Sequence, residues 1–353
     1  MRVLPDARMY HLQVRDSAGN IIASQITNYE HDHRGFKYDD LVFQYDFPAS
    51  GSPTVFTLET IAGTTPPITP RVFARLVPER LDDFAWENDR IAHRAYGPAL
   101  DSPGAGPERL RGSGIDVWGK RVPYLIVDRW YLKGHDQFHK DGEGEGLDLY
   151  SIGGSRGAGG TGIWRDGKLA SSGNFASARV LANGPLRAVF ELTYAPWDIG
   201  NGQTVTETKR FTVDAGRNFD QVESVFTFAG NDELTVALGI SRHKDTPMEV
   251  TRDPKQHWLN TWESATDGGL GIAVIAASDA VAAGYASEPV GTVGNYGNEL
   301  LLVKVKSGQP LRYWLGAGWD RSGQFASREE WTRYVDEFVH RTQAPLNVKV
   351  EAQ

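Results

Sequence analysis

Apolar positions along this chain recur mostly in short alternating runs that are rich in β-branched and aromatic residues. Such runs are typical of β-strands with one buried face. The alternation is strictest in T-V-T-E-T-K-R-F-T-V (204–213), which places threonines and charged groups on one face, as in a strand that faces solvent or lines a cleft. About fourteen runs predict strands, at positions 10–14, 21–25, 41–47, 54–59, 72–76, 91–96, 124–130, 186–194, 204–213, 221–228, 234–240, 271–276, 300–305 and 311–317.

One segment has a helical pattern instead. In S-R-E-E-W-T-R-Y-V-D-E-F (327–338), one face carries Trp331, Tyr334, Val335 and Phe338, and Ser327 is placed to cap the first turn. Many strands with few helices predict an all-β fold, a large antiparallel sandwich. We expect one domain over residues 1–353, and the alternative is two β-domains divided at the proline-rich connector 64–70.

Composition narrows the classes of function. The chain has no cysteine, which excludes disulfides, thiolate nucleophiles and cysteine-bound zinc. A formal net charge of -8 without a basic stripe argues against a nucleic-acid partner, and no apolar run approaches the length of a membrane span. The 10 Trp and 13 Tyr residues suit carbohydrate binding, because their rings stack on sugar faces and offer hydrogen bonds to hydroxyls.

The densest cluster of titratable side chains lies in H-D-Q-F-H-K-D-G-E-G-E-G-L-D (135–148). Its histidines and carboxylates favour a catalytic or metal-binding loop, and the alternative is a solvated acidic turn. The glycines that follow argue against a helical pairing of His135 with His139, and the segment lacks the zinc-protease and calcium-loop patterns. We expect His139 and Glu145 to be catalytic, and His135 with Asp141 to be the candidate ligands of a divalent metal ion. No organic cofactor is indicated.

Further candidates lie on or near predicted strands. His243 follows a strand beside Arg and Lys, which favours the neutral imidazole of a general base, and the alternative is an ordinary strand-end histidine. His93 and Tyr150 are further candidates for proton transfer. Arginine forks suit a carboxylate, and a tryptophan on a Gly-rich turn suits sugar stacking, although structural ion pairs and core packing would explain both. The residues expected to contact substrate are Trp86, Asn88, Arg94, Lys120, Arg242 and Trp319.

Five motifs together resemble the DUF4861 family. They are W-E-N-D-R-I-A-H-R-A-Y-G-P (86–98), G-I-D-V-W-G-K-R-V-P-Y-L-I-V-D-R-W-Y (114–131), F-H-K-D-G-E-G-E-G-L-D-L-Y (138–150), G-A-G-G-T-G-I-W-R-D-G-K-L (157–169) and G-A-G-W-D-R-S-G-Q-F (316–325). The resemblance implies a β-supersandwich like that of galactose mutarotase and several polysaccharide lyases, and a role in bacterial polysaccharide breakdown. It also implies a periplasmic or secreted location, although the N-terminus shows no apolar signal region. A similarity to an oligosaccharide dehydratase of ulvan degradation points to unsaturated uronate ends.

The leading hypothesis is a carbon–oxygen lyase, either a β-eliminating lyase or a dehydratase, with an anionic, uronate-containing oligosaccharide as substrate. This chemistry needs a cation beside the carboxylate, a base for the adjacent carbon-bound proton, and an acid for the departing oxygen. Arg94 and Arg242 are the expected cations, and His139 or His243 is the expected base. Tyr150, His93 or a water molecule would be the acid.

Three alternatives stay open. A glycoside hydrolase would pair Glu145 with Asp148 or Glu87. A non-catalytic sugar-binding protein would depend on its tryptophans and not on its histidines. An epimerase acting at the anomeric carbon is implied by the mutarotase-like fold alone.

Overall fold

The alternating sequence folds into antiparallel sheets that stack as a large β-sandwich. The structure, a computed structural model, describes residues 11–29, 40–47, 51, 53–230 and 233–351. The all-β prediction is confirmed, with many strands and few helices. Position 10, where the first predicted strand begins, lies outside the described residues.

The described part of the chain contains the following elements. The strands in chain order are β1 (Leu12–Asp16), β2 (Ile21–Ile22), β3 (Ser24–Ile26), β4 (Leu41–Phe43), β5 (Phe56–Thr60), β6 (Val72–Val77), β7 (Asp83–Asn88), β8 (Ile91–Ala95), β9 (Ile115–Lys120), β10 (Gly146–Asp148), β11 (Ala158–Arg165), β12 (Lys168–Ala170), β13 (Ser177–Asn183), β14 (Arg187–Asp198), β15 (Thr204–Asp214), β16 (Phe219–Phe228), β17 (Glu233–His243), β18 (Met248–Asp253), β19 (Trp258–Ala265), β20 (Gly268–Ala276), β21 (Val281–Val293), β22 (Tyr296–Lys306) and β23 (Pro310–Trp319). The α-helices are α1 (Val127–Lys133), α2 (His135–Phe138) and α3 (Arg328–Gln343), and short 3-10 helices lie at Pro78–Arg80, Pro98–Asp101, Pro103–Glu108 and Asp320–Ser322.

One layer of the sandwich is an eight-stranded sheet in the order β13-β14-β15-β16-β23-β20-β19-β18. Strand β15 corrects one prediction, because two of its charged groups are on the buried face. Glu207 and Lys209 lie in the core beside Phe211, with their charged atoms 3.0 Å apart. Glu207 also accepts hydrogen bonds from Thr161 and Ser224, which satisfies the buried carboxylate. The threonines of β15 occupy the other, partly exposed face.

The other layer consists of two five-stranded sheets, β10-β9-β8-β7-β6 and β12-β11-β17-β22-β21. Residues of both pack with the eight-stranded sheet in one large hydrophobic core. A parallel bridge between Ile115 and Gly157 joins the two smaller sheets. Gly157 has a φ of 62°, and a Cβ there would lie 2.1 Å from the carbonyl oxygen of Ile115. Only glycine allows this approach, so the Gly-rich segment serves the junction of the sheets.

Helices cover the outer faces of both layers. Trp331, Val335 and Phe338 of α3 pack on the eight-stranded sheet, and the Ser327 side chain accepts a hydrogen bond from the Glu330 amide. This helix agrees with its prediction. Within the described residues, no helix is both long and apolar enough to pass through a membrane.

The predicted strand 124–130 is wrong, because this segment leads into helix α1. Ile126, Val127 and Trp130 bury one helical face against the first five-stranded sheet. The carboxylate of Glu87 on β7 accepts hydrogen bonds of 2.7–2.9 Å from the amides of Ile126 and Val127. A negative charge at these free amides stabilises a helix N-terminus. The partner is about forty residues away in sequence, so local propensity could not reveal it.

Candidate active site

A pocket of about 510 Å³ opens where β17 ends and β22 begins. Its walls come from both layers of the sandwich, namely His243 and Tyr296 from one side and Glu263 and Leu270 from the other. The connector 149–151 completes the lining. This volume lies in the range of pockets that bind small ligands, and its mixed polar and aromatic lining suits a sugar.

His243 is held at both ring nitrogens. Nδ1 lies 2.8 Å from both carboxylate oxygens of Glu263, and Nε2 lies 2.5 Å from the main-chain oxygen of Ser151. A carboxylate and a carbonyl only accept hydrogen bonds, so both ring nitrogens carry protons in this arrangement. This arrangement therefore favours the imidazolium form.

The electrostatics agree with this protonation. Burial lowers the pKa of His243, but the hydrogen bond and charge of Glu263, together with the Ser151 carbonyl, outweigh burial and raise the pKa above its ordinary value. Glu263 is itself buried, so water screens the pair little. A histidine oriented by a carboxylate is a stronger base once it loses its proton, because the carboxylate stabilises the imidazolium that forms again.

Two tyrosine rings contact the His243 ring edge to face. The centroid of Tyr150 lies 5.0 Å from that of His243, and the centroid of Tyr296 lies 5.5 Å away. The Tyr150 hydroxyl donates to the carbonyl of Gly157 inside the core, and burial raises its pKa well above the usual value. Tyr150 therefore packs against the site and does not reach a ligand as an acid. Tyr296 is partly exposed and lines the pocket.

Tyr296 owes its position to two backbone features. It is the residue directly opposite His243 in the β17–β22 ladder. Gly153, in the Gly-rich segment, has a φ of 51°, and a Cβ there would lie 2.3 Å from the Tyr296 ring. The ring thus occupies space that only a glycine leaves open.

The cations near this pocket differ from those expected. Lys244 lines the pocket and is exposed. Arg242 is adjacent to His243 on β17, so its side chain points to the opposite face of the sheet. There it forms an ion pair with Glu299, which also binds Arg252. Arg242 is therefore engaged away from the pocket.

Arg94 lies under α2 on the outer face of the first five-stranded sheet. Its guanidinium donates to Asp116 at 2.5 Å and to Asp148 at 2.9 Å, and Asp83 lies 3.6 Å away. Burial and the neighbouring Asp116 raise the pKa of Asp148 well above its ordinary value, and burial raises the pKa of Asp83 to about 6. The fork of Arg94 is filled by protein carboxylates, which leaves no place for a substrate carboxylate.

His135 and His139 meet at one turn of helix. Residues four apart share a helical face, and their Nε2 atoms lie 3.4 Å apart. The expectation that the glycines would prevent this pairing is wrong, because the helical turn ends before the first glycine. Nδ1 of His139 donates to the carbonyl of Asp148 at 3.2 Å, and burial lowers the pKa of His139.

The acidic part of the loop is structural. Glu145 accepts hydrogen bonds from Tyr124, Arg129, Trp130 and Lys133, which tie the loop to α1. Burial raises its pKa, but these donors outweigh burial and lower the pKa to about 2. A carboxylate with four donors is an anchor and a poor proton donor.

Asp141, the other predicted metal ligand, is bound by other groups of the protein. Its carboxylate accepts the Gly146 amide at 3.0 Å and pairs with Arg121 at 3.1 Å. Among the residues that the structure describes, no group of three or more His, Asp or Glu side chains is arranged to hold a metal ion. Asp141 and His135 are therefore not brought together in such a group.

Several predicted site residues are core residues. His93 stacks on Trp86 and lies 3.7 Å from Asp220, and burial lowers its pKa to about 4. The indole of Trp86 donates to Asp220. These side chains have no exposed surface to offer a substrate. The predicted contacts that are completely or almost completely buried are Trp86, Asn88, Lys120 and Trp319.

Buried polar bonds explain Asn88 and Lys120, and close packing explains Trp319. Asn88 donates to the carbonyls of Asp214 and Arg217, which links β7 to the eight-stranded sheet. Lys120 pairs with Glu87 at 2.5 Å, next to the N-terminus of α1. The Trp319 indole packs over Gly119, where a Cβ would lie 2.7 Å from the ring. The sequence motifs around these three residues therefore reflect contacts within the fold.

Sequence reasoning missed Glu263, Tyr296 and Lys244. Glu263 lies on β19, which belongs to the sheet opposite His243, so no local pattern connects the two. Tyr296 opens β22 after a turn, where a lone tyrosine carries no signal. Lys244 directly follows His243 in the sequence and lies just beyond the end of β17, where strand alternation no longer predicts the direction of a side chain.

Solved structures with a similar fold include carbohydrate-acting enzymes of low sequence identity. An α-mannosidase from Enterococcus faecalis superposes with a TM-score of 0.47 at 12% identity, covering 96% of this chain and 40% of that one. A heparan sulfate lyase mutant from Pedobacter heparinus gives a TM-score of 0.35 at 8% identity, covering 73% and 37%. This chain thus spans less than half the length of each of these solved structures.

One relative has a higher sequence identity to this chain than these solved structures do. A protein of Formosa agariphila, named Uncharacterized protein P7, is 32% identical over 337 residues, which cover 94% of this chain and 82% of that protein. A family model described as "Domain of unknown function (DUF4861)" matches residues 3–348. On this evidence, the chain belongs to the DUF4861 family.

Proposed function

We propose that the protein is a carbon–oxygen lyase that acts on uronate-containing oligosaccharides in the pocket around His243. The observation that carries the proposal is the His243–Glu263 pair at a sugar-sized pocket, with Tyr296 opposite His243 in the strand ladder. Elimination next to a carboxylate needs a base, an acid and a cation. These three kinds of group line the pocket.

In this mechanism, His243 is the base. When its neutral form is present, Nε2 and the Ser151 carbonyl oppose two lone pairs, so Nε2 is released from this contact while Nδ1 keeps its hydrogen bond to Glu263. His243 then takes the proton from the carbon beside the carboxylate, and Glu263 stabilises the imidazolium that forms. The electron pair of the broken C–H bond becomes the new C=C bond, and the C–O bond to the leaving oxygen breaks.

Tyr296 and Lys244 supply the remaining functions. The Tyr296 hydroxyl gives its proton to the leaving oxygen, which is released as an alcohol or as water. Lys244 pairs with the uronate carboxylate and offsets the charge that develops on it in the transition state. Arg94 and Arg242 have no part, because protein carboxylates engage both.

The carboxylate pairs that the sequence suggested for a hydrolase have less support. Of the carboxylates expected for it, Glu145 has four donors, Glu87 caps α1 and Asp148 binds Arg94. Each is committed to the fold, and a hydrolase needs two free carboxyl groups about 5–10 Å apart across the bond.

The test follows ultraviolet absorbance while the protein is mixed with saturated and lyase-generated uronate oligosaccharides. Elimination creates a conjugated unsaturated uronate and increases the absorbance. A decrease on unsaturated substrates indicates consumption of the double bond, and product mass then distinguishes loss of water, as in a dehydratase, from hydrolysis. A constant absorbance with cleaved products would contradict the lyase proposal, and binding without any product would contradict catalysis.

A further inference from the structure

A second feature, separate from the His243 pocket, concerns the two histidines at the end of α2. His135 and His139 do not line that pocket. Their side chains are 40% and 36% exposed, so a small ion can reach them from solvent. Binding at these two histidines does not depend on the proposed lyase function.

The distance between the two rings is unusual for a hydrogen bond. The Nε2 atoms lie 3.4 Å apart with the ring planes at 73°. This separation is longer than the roughly 2.7–3.2 Å that is usual for a hydrogen bond donated by nitrogen. Two nitrogen ligands of a tetrahedral zinc ion, each at about 2.0–2.1 Å from the metal, lie about 3.3 Å apart. The observed spacing therefore matches one edge of a zinc coordination tetrahedron.

The second nitrogen of His139 fixes its tautomer. Nδ1 lies 3.2 Å from the carbonyl oxygen of Asp148, which only accepts, so Nδ1 carries the proton. In the neutral ring, Nε2 then presents its lone pair toward His135. A main-chain carbonyl bound to the distal nitrogen is the usual support of a metal-binding histidine, since it orients the ring and raises its basicity.

We propose that His135 and His139 form a two-histidine site for a divalent transition-metal ion, with zinc as the ion that the spacing favours. Imidazole pairs suit zinc, copper and nickel and disfavour magnesium and calcium, which prefer oxygen ligands. Because no third His, Asp or Glu joins the pair within the described part of the chain, water or a ligand hydroxyl completes the coordination shell. With two protein ligands, one fewer than in a catalytic zinc site, a tetrahedral ion here keeps two open positions.

The experiment is isothermal titration calorimetry of the EDTA-treated, full-length protein with zinc chloride. We expect one zinc ion per chain in the wild type, and a loss of affinity of at least about tenfold in His135→Ala and in His139→Ala. His340→Ala is the matched control, because His340 is an exposed histidine on α3 and should leave the affinity unchanged. His135 is the safer variant for folding, since it is the more exposed of the pair.

X-ray absorption at the zinc edge gives a second, structural readout. The wild type should show two imidazole nitrogens at about 2.0–2.1 Å from the metal. The proposal is overturned if the wild type takes up no stoichiometric zinc, if His135→Ala binds zinc as tightly as the wild type, or if His340→Ala loses as much affinity as the other two variants.

Discussion

Glu263 holds His243 from across the sandwich: both of its carboxylate oxygens lie 2.8 Å from Nδ1 of the histidine, although the two residues belong to different sheets. The pair therefore forms only when the two layers pack. It orients the imidazole, favours its protonated form and leaves Nε2 as the atom that faces the connector 149–151.

The first prediction concerns Glu263→Gln. Removal of the carboxylate charge should lower the pKa of His243, which proton NMR of the ring can follow across a pH titration. Because the base must be neutral, activity should fall as pH drops through that pKa, and this acid limb should move to lower pH in the variant. The maximal rate should fall as well, since the imidazolium loses its partner. An unchanged His243 pKa in the variant contradicts the electrostatic account.

The raised pKa of His243 also affects the stability of the fold. A histidine whose folded-state pKa is raised stabilises the fold below its unfolded pKa of about 6.5, and this contribution is lost as pH rises through the folded pKa. Glu263→Gln should thus remove stability mainly at acidic pH. Urea unfolding at two pH values on either side of the measured pKa provides the check.

The second prediction separates the two tyrosines of the site. Tyr296→Phe should lower kcat by about 10²–10⁴-fold, the usual contribution of a general acid, with a small effect on KM. Tyr150→Phe keeps the ring that packs on His243 and loses only a hydroxyl that bonds within the core. It should cost stability and spare kcat. A Tyr296→Phe variant with wild-type kcat would contradict the assignment of this hydroxyl as the acid.

The third prediction tests the space beside Tyr296. A Cβ at Gly153 would lie 2.3 Å from the Tyr296 ring, and the φ of 51° disfavours other residues. Gly153→Ala should displace the ring and lower kcat as Tyr296→Phe does. Gly142→Ala is the control, because a Cβ there meets nothing within 4 Å. A Gly153→Ala variant with wild-type kcat shows that the ring position is unimportant.

The fourth prediction concerns the acidic loop. The pKa of Glu145 is lowered to about 2, so its contribution to stability is present above the unfolded value of about 4.5 and is lost as pH falls toward 2. Glu145→Gln should cost about 2 kcal/mol of unfolding free energy near neutral pH, since several charge-assisted hydrogen bonds weaken. Urea titrations at pH 7 and pH 3 should show a smaller difference between variant and wild type at pH 3. A difference independent of pH contradicts the assigned pKa.

Local patterns predicted much of the sheet framework and one helix. The strands of the eight-stranded sheet with clear alternation, such as β15 and β16, and the amphipathic helix α3 could be read directly, because each buries one face. Strands such as β11 and β19 escaped prediction. The first is rich in glycine for close packing, and the second carries polar residues that become buried only between the sheets.

The sequence predicted only part of the candidate site, and the rest was missed for a physical reason. His243 was recognisable, but its partner and the opposing tyrosine depend on contacts between sheets and across a ladder. The charged motif around Trp86 and Arg94 looked functional because buried ion pairs use the same residue types as active sites. The sequence cannot distinguish a buried guanidinium group from an exposed one, because in both cases it shows only an arginine near an aspartate.

The most direct test of His243 as the base compares the wild type with His243→Gln by absorbance near the unsaturated-uronate band, on an oligosaccharide identified in the panel. Glutamine keeps much of the size and hydrogen-bonding capacity of the ring but cannot act as a base. We expect a change in absorbance with the wild type and a rate at least about 100-fold lower with the variant. Full turnover by the folded variant would show that the chemistry does not occur at His243.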